Sequence, residues 1–384
     1  MVIYFDNAAT TYPKPEPVYK AQDEYLRQAA NPGRAAHTLA LASSRAIFET
    51  RVAVAGFLGV KHAERLVFTS GCTQAINAAL KGFGLKRGDV VVTSALEHNA
   101  VMRPLRQLEE FPGIKVHTLP YQPAGVISLE ELSGVLDSFR PKLCVMAEAS
   151  NVTGDLIDLA AVAEICRGKG VPLLVDAAQS AGWKRQALDE LGVSLWCASG
   201  HKGLLGPPGV GILYVGPDVE LEPLIAGGTG SRSEQLEMPD HYPDRLEAGT
   251  LPGPAIAGLG AGVTWLEQTG LERVREHELN LVERFFDWAQ ASGCADVYGP
   301  GPGGSRTAIV AFNLKGVTAD RVADLLDRDW GIAVRAGLHC AAQAHKALGT
   351  LATGLVRASF GYFNTASEVD ELLKALSKIA GGLA

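Results

Sequence analysis

Ser194-Leu195-Trp196-Cys197-Ala198-Ser199-Gly200-His201-Lys202-Gly203 carries an apolar run into a turn that holds a lysine. A second apolar run, Gly209-Val210-Gly211-Ile212-Leu213-Tyr214-Val215, follows at once. Lys202 is therefore expected in a tight Gly/Pro-bounded connection between two buried strands. A lysine held against apolar walls sheds its proton more readily and acts as an amine, the state needed to form a Schiff base with an aldehyde. A solvated loop lysine is the plain alternative, since lysines are mostly exposed. Upstream, Pro172-Leu173-Leu174-Val175-Asp176 is another apolar run, and it ends on a carboxylate. A charge at the edge of a sheet needs a partner. A protonated pyridine nitrogen is one such partner, and a helix cap ahead of Ala177-Ala178-Gln179 is the other reading. An acid on one strand end with a lysine in the next connection is a joint pattern that neither plain reading covers.

Outward from this pair the pattern is regular. Short apolar runs at 66–68, 90–92, 116–119, 143–146 and 173–175 alternate with helical stretches through Ile76, Leu80 and Phe83, after His98 to about Glu110, and near 129–139 and 159–167. Such runs mean strands buried on both faces, an α/β fold with a mostly parallel sheet. Ligands in these folds bind beyond the carboxyl ends of the strands. Thr69-Ser70-Gly71, Ala149-Ser150-Asn151 and Asp176 fall at such ends. Ahead of the alternation lie a short strand at Tyr4-Phe5 and helices over 18–29 and 39–58. Past Gly227-Gly228-Thr229-Gly230 the pattern changes. A buried helix at 254–266 precedes a polar helix at 271–290, strands at 309–312 and 356–360, and helices at 320–326 and near the end. The expected division is a large domain, residues 14–255, and a smaller α+β domain made of residues 1–13 and 256–384.

Composition narrows the classes. The 384 residues carry a formal net charge of −7, which argues against a nucleic-acid surface. No basic leader opens the chain, and no apolar stretch is long enough to span a bilayer, so no membrane association is expected. The six cysteines are scattered, with no C-x-x-C pair, which argues against a zinc site or a disulfide framework and fits a reduced cytoplasmic setting. No G-x-G-x-x-G opens the first strand–helix unit, so a dinucleotide enzyme is disfavoured.

Several residues could hold a phosphorylated aldehyde cofactor. Gly71-Cys72-Thr73 opens a helix, where free N–H groups favour an anion. Ser199 and His201 flank the lysine. His98 follows a strand end and could stack on a ring, and Gln179 could donate to a ring hydroxyl. A second centre is Arg335-Ala336-Gly337-Leu338-His339-Cys340. There a guanidinium and an imidazole close in sequence favour thiolate at Cys340. Arg357 sits in an otherwise apolar strand and needs an anion, for which a substrate carboxylate is suited.

With these residues in view, the chain resembles the cysteine desulfurases of the class V aminotransferase type, a group that includes selenocysteine-lyase-like enzymes. The resemblance rests on Asp6-Asn7-Ala8-Ala9-Thr10-Thr11, Glu97-His98-Asn99, Ser150-Asn151-Val152-Thr153-Gly154, Asp176-Ala177-Ala178-Gln179, Ser199-Gly200-His201-Lys202, Glu247-Ala248-Gly249-Thr250 and the segment ending at Cys340. It implies the fold type I architecture of pyridoxal-phosphate enzymes, like that of aspartate aminotransferase, and a homodimer. It implies pyridoxal 5'-phosphate on Lys202, Asp176 at the ring nitrogen, and contacts from Asn151. Thr250 would reach the phosphate of the other subunit's cofactor. Arg357 and Asn151 would bind the substrate carboxylate, and His37 would stand near the substrate. Arg335 joins this substrate set. The implied reaction takes sulfur from L-cysteine, leaves L-alanine, and places a persulfide on Cys340 for a protein or small-thiol acceptor. Lys202 would move the α-proton, with His98 as a proton shuttle. A selenocysteine lyase, or another aminotransferase or lyase on the same scaffold, is the alternative. The chain departs from the family in having Cys72-Thr73 where two threonines are common, and in Ala341-Ala342-Gln343-Ala344-His345-Lys346 after Cys340.

Overall fold

The computed structural model describes residues 2–32, 37–122 and 126–382. β1 (Ile3–Tyr4), α1 (Glu16–Gln28) and α2 (Thr38–Phe57) open the chain. Strands and helices then alternate through β2 (Leu66–Thr69), α3 (Cys72–Gly82), β3 (Val90–Ser94), α4 (Asn99–Glu110), β4 (Lys115–Leu119) and α5 (Leu129–Phe139). The series continues with β5 (Leu143–Ala147), α6 (Leu159–Gly168), β6 (Leu173–Asp176), α7 (Leu188–Leu191), β7 (Leu195–Ser199) and β8 (Gly211–Val215). Two long helices follow, α8 (Gly253–Thr269) and α9 (Leu271–Ser292). The rest is β9 (Ala295–Tyr298), β10 (Ile309–Leu314), α10 (Ala319–Trp330), β11 (Ile332–Ala333), β12 (Arg335–Gly337), α11 (Ala342–Ala347), β13 (Leu355–Ser359) and α12 (Ala366–Gly381).

Seven strands form one sheet in the order β2-β8-β7-β6-β5-β3-β4. The contacts β7·β6, β6·β5, β5·β3 and β3·β4 are parallel, and β8 alone runs against its neighbours. Strands β5, β6, β7 and β8 are buried along their whole length, as continuous apolar runs require. The expected mostly parallel α/β sheet is what the chain builds. The carboxyl ends of β3, β5, β6 and β7 therefore lie side by side, and the segments that leave them carry His98, Asn151, Asp176 and Lys202.

A smaller antiparallel sheet, β12-β13-β10-β9, packs its apolar face on α9, α10 and α12. β1 pairs in parallel with β11, so the first residues of the chain are held by its last third. Helix α8 buries Ile256, Leu259, Val263 and Leu266 in the core shared with the large sheet. The short strands β9, β11 and β12 were not expected from the sequence.

One buried acid ties the large sheet together behind the site. Glu97 is fully buried, and its Oε1 accepts from the Ser94 hydroxyl at 2.7 Å and from Ala147 N–H at 2.9 Å. It links the ends of β3 and β5 just before His98. Burial pushes its carboxyl up to about 8, against the pull of those two donors, so it is neutral at pH 7. A carboxyl raised on folding contributes stability that is full below the unfolded value and is lost as pH rises toward about 8. Relative to the wild type, Glu97→Gln should therefore gain stability between pH 5 and 8.5 in urea unfolding. A stability difference that stays constant across that range contradicts a neutral Glu97.

Candidate active site

The Lys202 turn is placed by backbone-to-backbone contact. After β6 the chain turns at 177–182, and after β7 it turns at 200–204. A Cβ on Gly203 would lie 2.3 Å from the Ala181 carbonyl oxygen, and one on Gly182 would lie 2.2 Å from the Gly203 carbonyl oxygen. Only two glycines let the turns close on each other, which brings the lysine turn against the one that begins at Asp176.

Between these turns lies a cavity of about 130 Å³. Asp176, Gln179, Ser199, His201 and Lys202 line one part of it, and Cys72, Thr73, His98 and Asn151 the other. Nine of the expected site residues thus line one cavity at the ends of the strands. Gly71 caps α3 at its edge.

Asp176 is buried, and no helix follows it, so the cap reading fails. Its Oδ1 accepts from Ala178 N–H at 2.9 Å and from the Cys72 thiol at 3.5 Å. Among the described residues Oδ2 has no hydrogen-bond partner. Burial raises the Cys72 thiol well above its usual range, and the Asp176 charge adds to this, so Cys72 stays a thiol and a donor. Cys72 was expected beside a phosphate; its sulfur instead serves the carboxylate.

Burial lowers the Lys202 amine, while Asp176 pulls it back up and Arg357 and Arg335 push it down. Burial pushes His201 down to about 4, with Lys202 and Lys14 adding to the effect. Its Nδ1 is buried without a partner. His98 caps α4, its Nδ1 accepting from Ala100 N–H at 3.0 Å. Burial lowers its pKa, so the ring is neutral and its proton sits on Nε2. Gln179 donates from Nε2 to the Ala8 carbonyl at 2.9 Å, so one of its amide protons serves the N-terminal segment.

The second centre packs over the first. The Cys340 carbonyl accepts from Asn99 N–H at 2.7 Å, next to His98. The Asn151 amide donates to the His339 carbonyl at 2.6 Å and leaves its own Oδ1 buried and unpaired. His339 and Cys340 both have left-handed backbone, φ 49° and 56°. Neither is a glycine, so surrounding bonds must hold this turn. Cys340 is exposed. The turn of residues 338–341 is held by Asn151 at the His339 carbonyl and by Asn99 at the Cys340 carbonyl. His339 was expected to help charge the site. It is buried and pushed down to about 3, chiefly by burial and then by Arg357, so it brings no positive charge.

Arg357 is almost fully buried. One terminal nitrogen donates to Asp6 Oδ1 at 2.8 Å and the other to the Asn151 carbonyl at 2.8 Å, while Nε is buried and unpaired. The sequence reading left its anion to the substrate; the chain supplies one of its own, Asp6. Arg335 lies opposite Arg357 across the β12–β13 pair. Two like charges in direct register repel, and Asp6 balances one of them, which leaves a positive charge close enough to act on Lys202 and His98.

His37 and Thr250 stand apart. His37 is exposed and caps α2, accepting from Ala40 N–H; the 34–36 part of its motif lies outside the described residues. Thr250 is exposed on the wall of a separate groove of about 720 Å³. Among the described residues no helix is long and apolar enough to cross a membrane, and no cluster of ligating side chains could hold a metal.

The donor set fits pyridoxal phosphate. A free carboxylate oxygen stands across the cavity from an amine, and His201 Nδ1 and Asn151 Oδ1 are buried without partners. Comparisons agree. The family model described as Aminotransferase class-V matches residues 3–372. A probable cysteine desulfurase of Methanothermobacter thermautotrophicus is 35% identical over 99% of this chain and 95% of its own. A cysteine desulfurase of Klebsiella pneumoniae is 33% identical over 98% and 93%. The apo structure of a cysteine desulfurase from Thermococcus onnurineus superposes with a TM-score of 0.92 at 33% identity, covering 99% of this chain and 95% of that one. The fold is that of the type I pyridoxal-phosphate enzymes, and the chain belongs to the class V aminotransferase family.

Proposed function

We propose that this protein is a pyridoxal-phosphate-dependent cysteine desulfurase. The observation that carries the reading is an exposed Cys340, on a pinned turn beside His98, over a cavity in which Lys202 faces Asp176. An aminotransferase needs no such thiol. Lys202 and Asp176 would hold the cofactor through its aldehyde and ring nitrogen, with His201, Ser199, Thr73 and the α3 N-terminus at its phosphate. When bound, the cofactor supplies an aldehyde that takes up the amino acid and a protonated ring that draws electrons from its α-carbon.

The chain's own groups supply the rest. Arg357 and Arg335 offer the substrate carboxylate a positive pole, with Arg357 steadied by Asp6 and Asn151. Lys202, kept short of protons by burial, takes the α-proton and can return it. His98 presents Nε2–H, and its capped Nδ1 keeps the ring in one orientation. Cys340 forms a bond to the substrate sulfur as the carbon–sulfur bond breaks, and so carries the persulfide while alanine leaves. The same bond to selenium would serve L-selenocysteine. An acceptor protein or small thiol then reaches the exposed sulfur.

The homodimer and the cytoplasmic setting are part of this proposal, as are the two domains, 14–255 and 1–13 with 256–384. Thr250 faces a groove beside Phe48 and Ile47, and Phe48 is 63% exposed, as is natural for a face that meets a second copy. His37 and Thr250 would complete the partner's site. All six cysteines are free, which suits a reducing compartment.

L-cysteine should yield equal amounts of alanine and sulfide in the presence of a thiol reductant. Lys202→Ala should remove the visible absorbance of the loaded protein and lower turnover by about 10²–10⁴-fold, the usual range for losing a positioned proton-transfer group. Unchanged absorbance rules out Lys202. Cys340→Ser should keep the absorbance and stop sulfide release from cysteine; retained release takes Cys340 out of the reaction. If that variant still cleaves selenocysteine at the wild-type rate, the lyase alternative gains.

A further inference from the structure

Of the N-terminal motif Asp6-Asn7-Ala8-Ala9-Thr10-Thr11 and Lys14, only Asp6 enters the reaction above, through Arg357. This segment touches the arginine strand, Gln179 and the lysine turn in order. Asp6 holds Arg357. Asn7 donates to the Ser359 carbonyl at 2.9 Å, and Ala8 N–H donates to the Ser359 hydroxyl at 2.9 Å, both on β13. Ala8 O receives the Gln179 amide. The segment then closes on the lysine turn. The His201 carbonyl accepts from Thr10 Oγ1 at 3.1 Å, Thr11 N–H at 3.2 Å, Thr11 Oγ1 at 3.3 Å and Lys14 Nζ at 2.6 Å. Thr11 Oγ1 also reaches the Lys202 carbonyl at 3.2 Å.

We infer that residues 6–14 form a strap joining the arginine pole to the Lys202 turn, and that Lys14 is the positioning residue that pins it. A carbonyl oxygen has two lone pairs, and four donors converge on this one, beside the residue whose amine must be aimed. Of the four, Lys14 Nζ makes the shortest bond, and it is charge-assisted when the amine is protonated. Lys14 Nζ also donates to Thr11 Oγ1 at 2.5 Å. Burial alone pushes the Lys14 amine down to about 7, and no neighbouring charge offsets it. A lysine at this place thus costs stability, and its bond to the carbonyl of residue 201 is what it returns. A shift of the strap at Asp6, as when an anion meets Arg357, would reach the Lys202 backbone through a handful of bonds.

The inference rests on the reading of Lys202 and Arg357 given above, and its test separates the two. Hydrogen exchange on the cofactor-free protein reads the amides of Leu205 and Gly206, which bond at 2.8 Å to the carbonyls of Lys202 and Gly200. In Lys14→Met these two should exchange about tenfold faster, the loss of one charge-assisted bond, with thermal midpoint and exchange elsewhere little changed. On the loaded protein the same variant should lower kcat about tenfold and leave the KM for L-cysteine within about twofold, with Lys14→Gln, which keeps a donor, in between. If Lys14→Met fails to fold, Thr11→Val takes its place, with faster exchange at the same two amides. Unchanged exchange at Leu205 and Gly206 overturns the strap, as does a loss spread evenly over the chain. Because exchange needs no turnover, a wild-type protein inert toward cysteine would sink the desulfurase reading alone.

Discussion

The structure depends on an amine kept out of water opposite a carboxylate with one oxygen to spare. Lys202 loses solvation and so gives up its proton more readily, and Asp176 limits how far that goes. The two residues leave adjacent parallel strands, β6 and β7, whose register pairs Asp176 with Cys197. The glycine contact between the following turns closes the remaining distance. The Ala178 amide and the Cys72 thiol both use Oδ1, which leaves Oδ2 for a ring nitrogen. The Cys72 thiol therefore supports the acid.

Around that pair the chain's two ends meet. The first strand is held by β11, and Asp6 is held by Arg357 on β13. The charge that would grip a substrate carboxylate is thus steadied by the same segment that reaches the lysine turn. Cys340 sits above, its turn bonded to α4 and to Asn151. Neither bond involves its sulfur, so the thiol stays free while its backbone is fixed. The sulfur is exposed to solvent, whereas the Lys202 amine is buried.

Much of this was legible in the sequence, for physical reasons. Strands buried on both faces have to be apolar throughout, so β3, β5, β6 and β7 stand out as short runs, and their carboxyl ends locate the site. Helices α4, α5 and α6 fall where the pattern puts them. The antiparallel direction of β8 was not readable, because a buried strand has the same composition in either direction. Strands β9, β11 and β12 have two to four residues, too few to show a period. The partner of Arg357 lies 351 residues away, and no local pattern spans that distance. Lys14 stands between two prolines and reads as an extended linker; its burial comes from the lysine turn packed on it. His37 and Thr250 carry a local motif, but their own chain gives them no place in the cavity.

In the proposed reaction Lys202 carries the cofactor. The most direct measurement is reductive trapping: the protein is incubated with pyridoxal phosphate, reduced with borohydride and digested, and the peptides are weighed. The account predicts a phosphopyridoxyl group on the peptide that contains Lys202 and on no other. The same group on a different lysine, or none on any peptide, would contradict it.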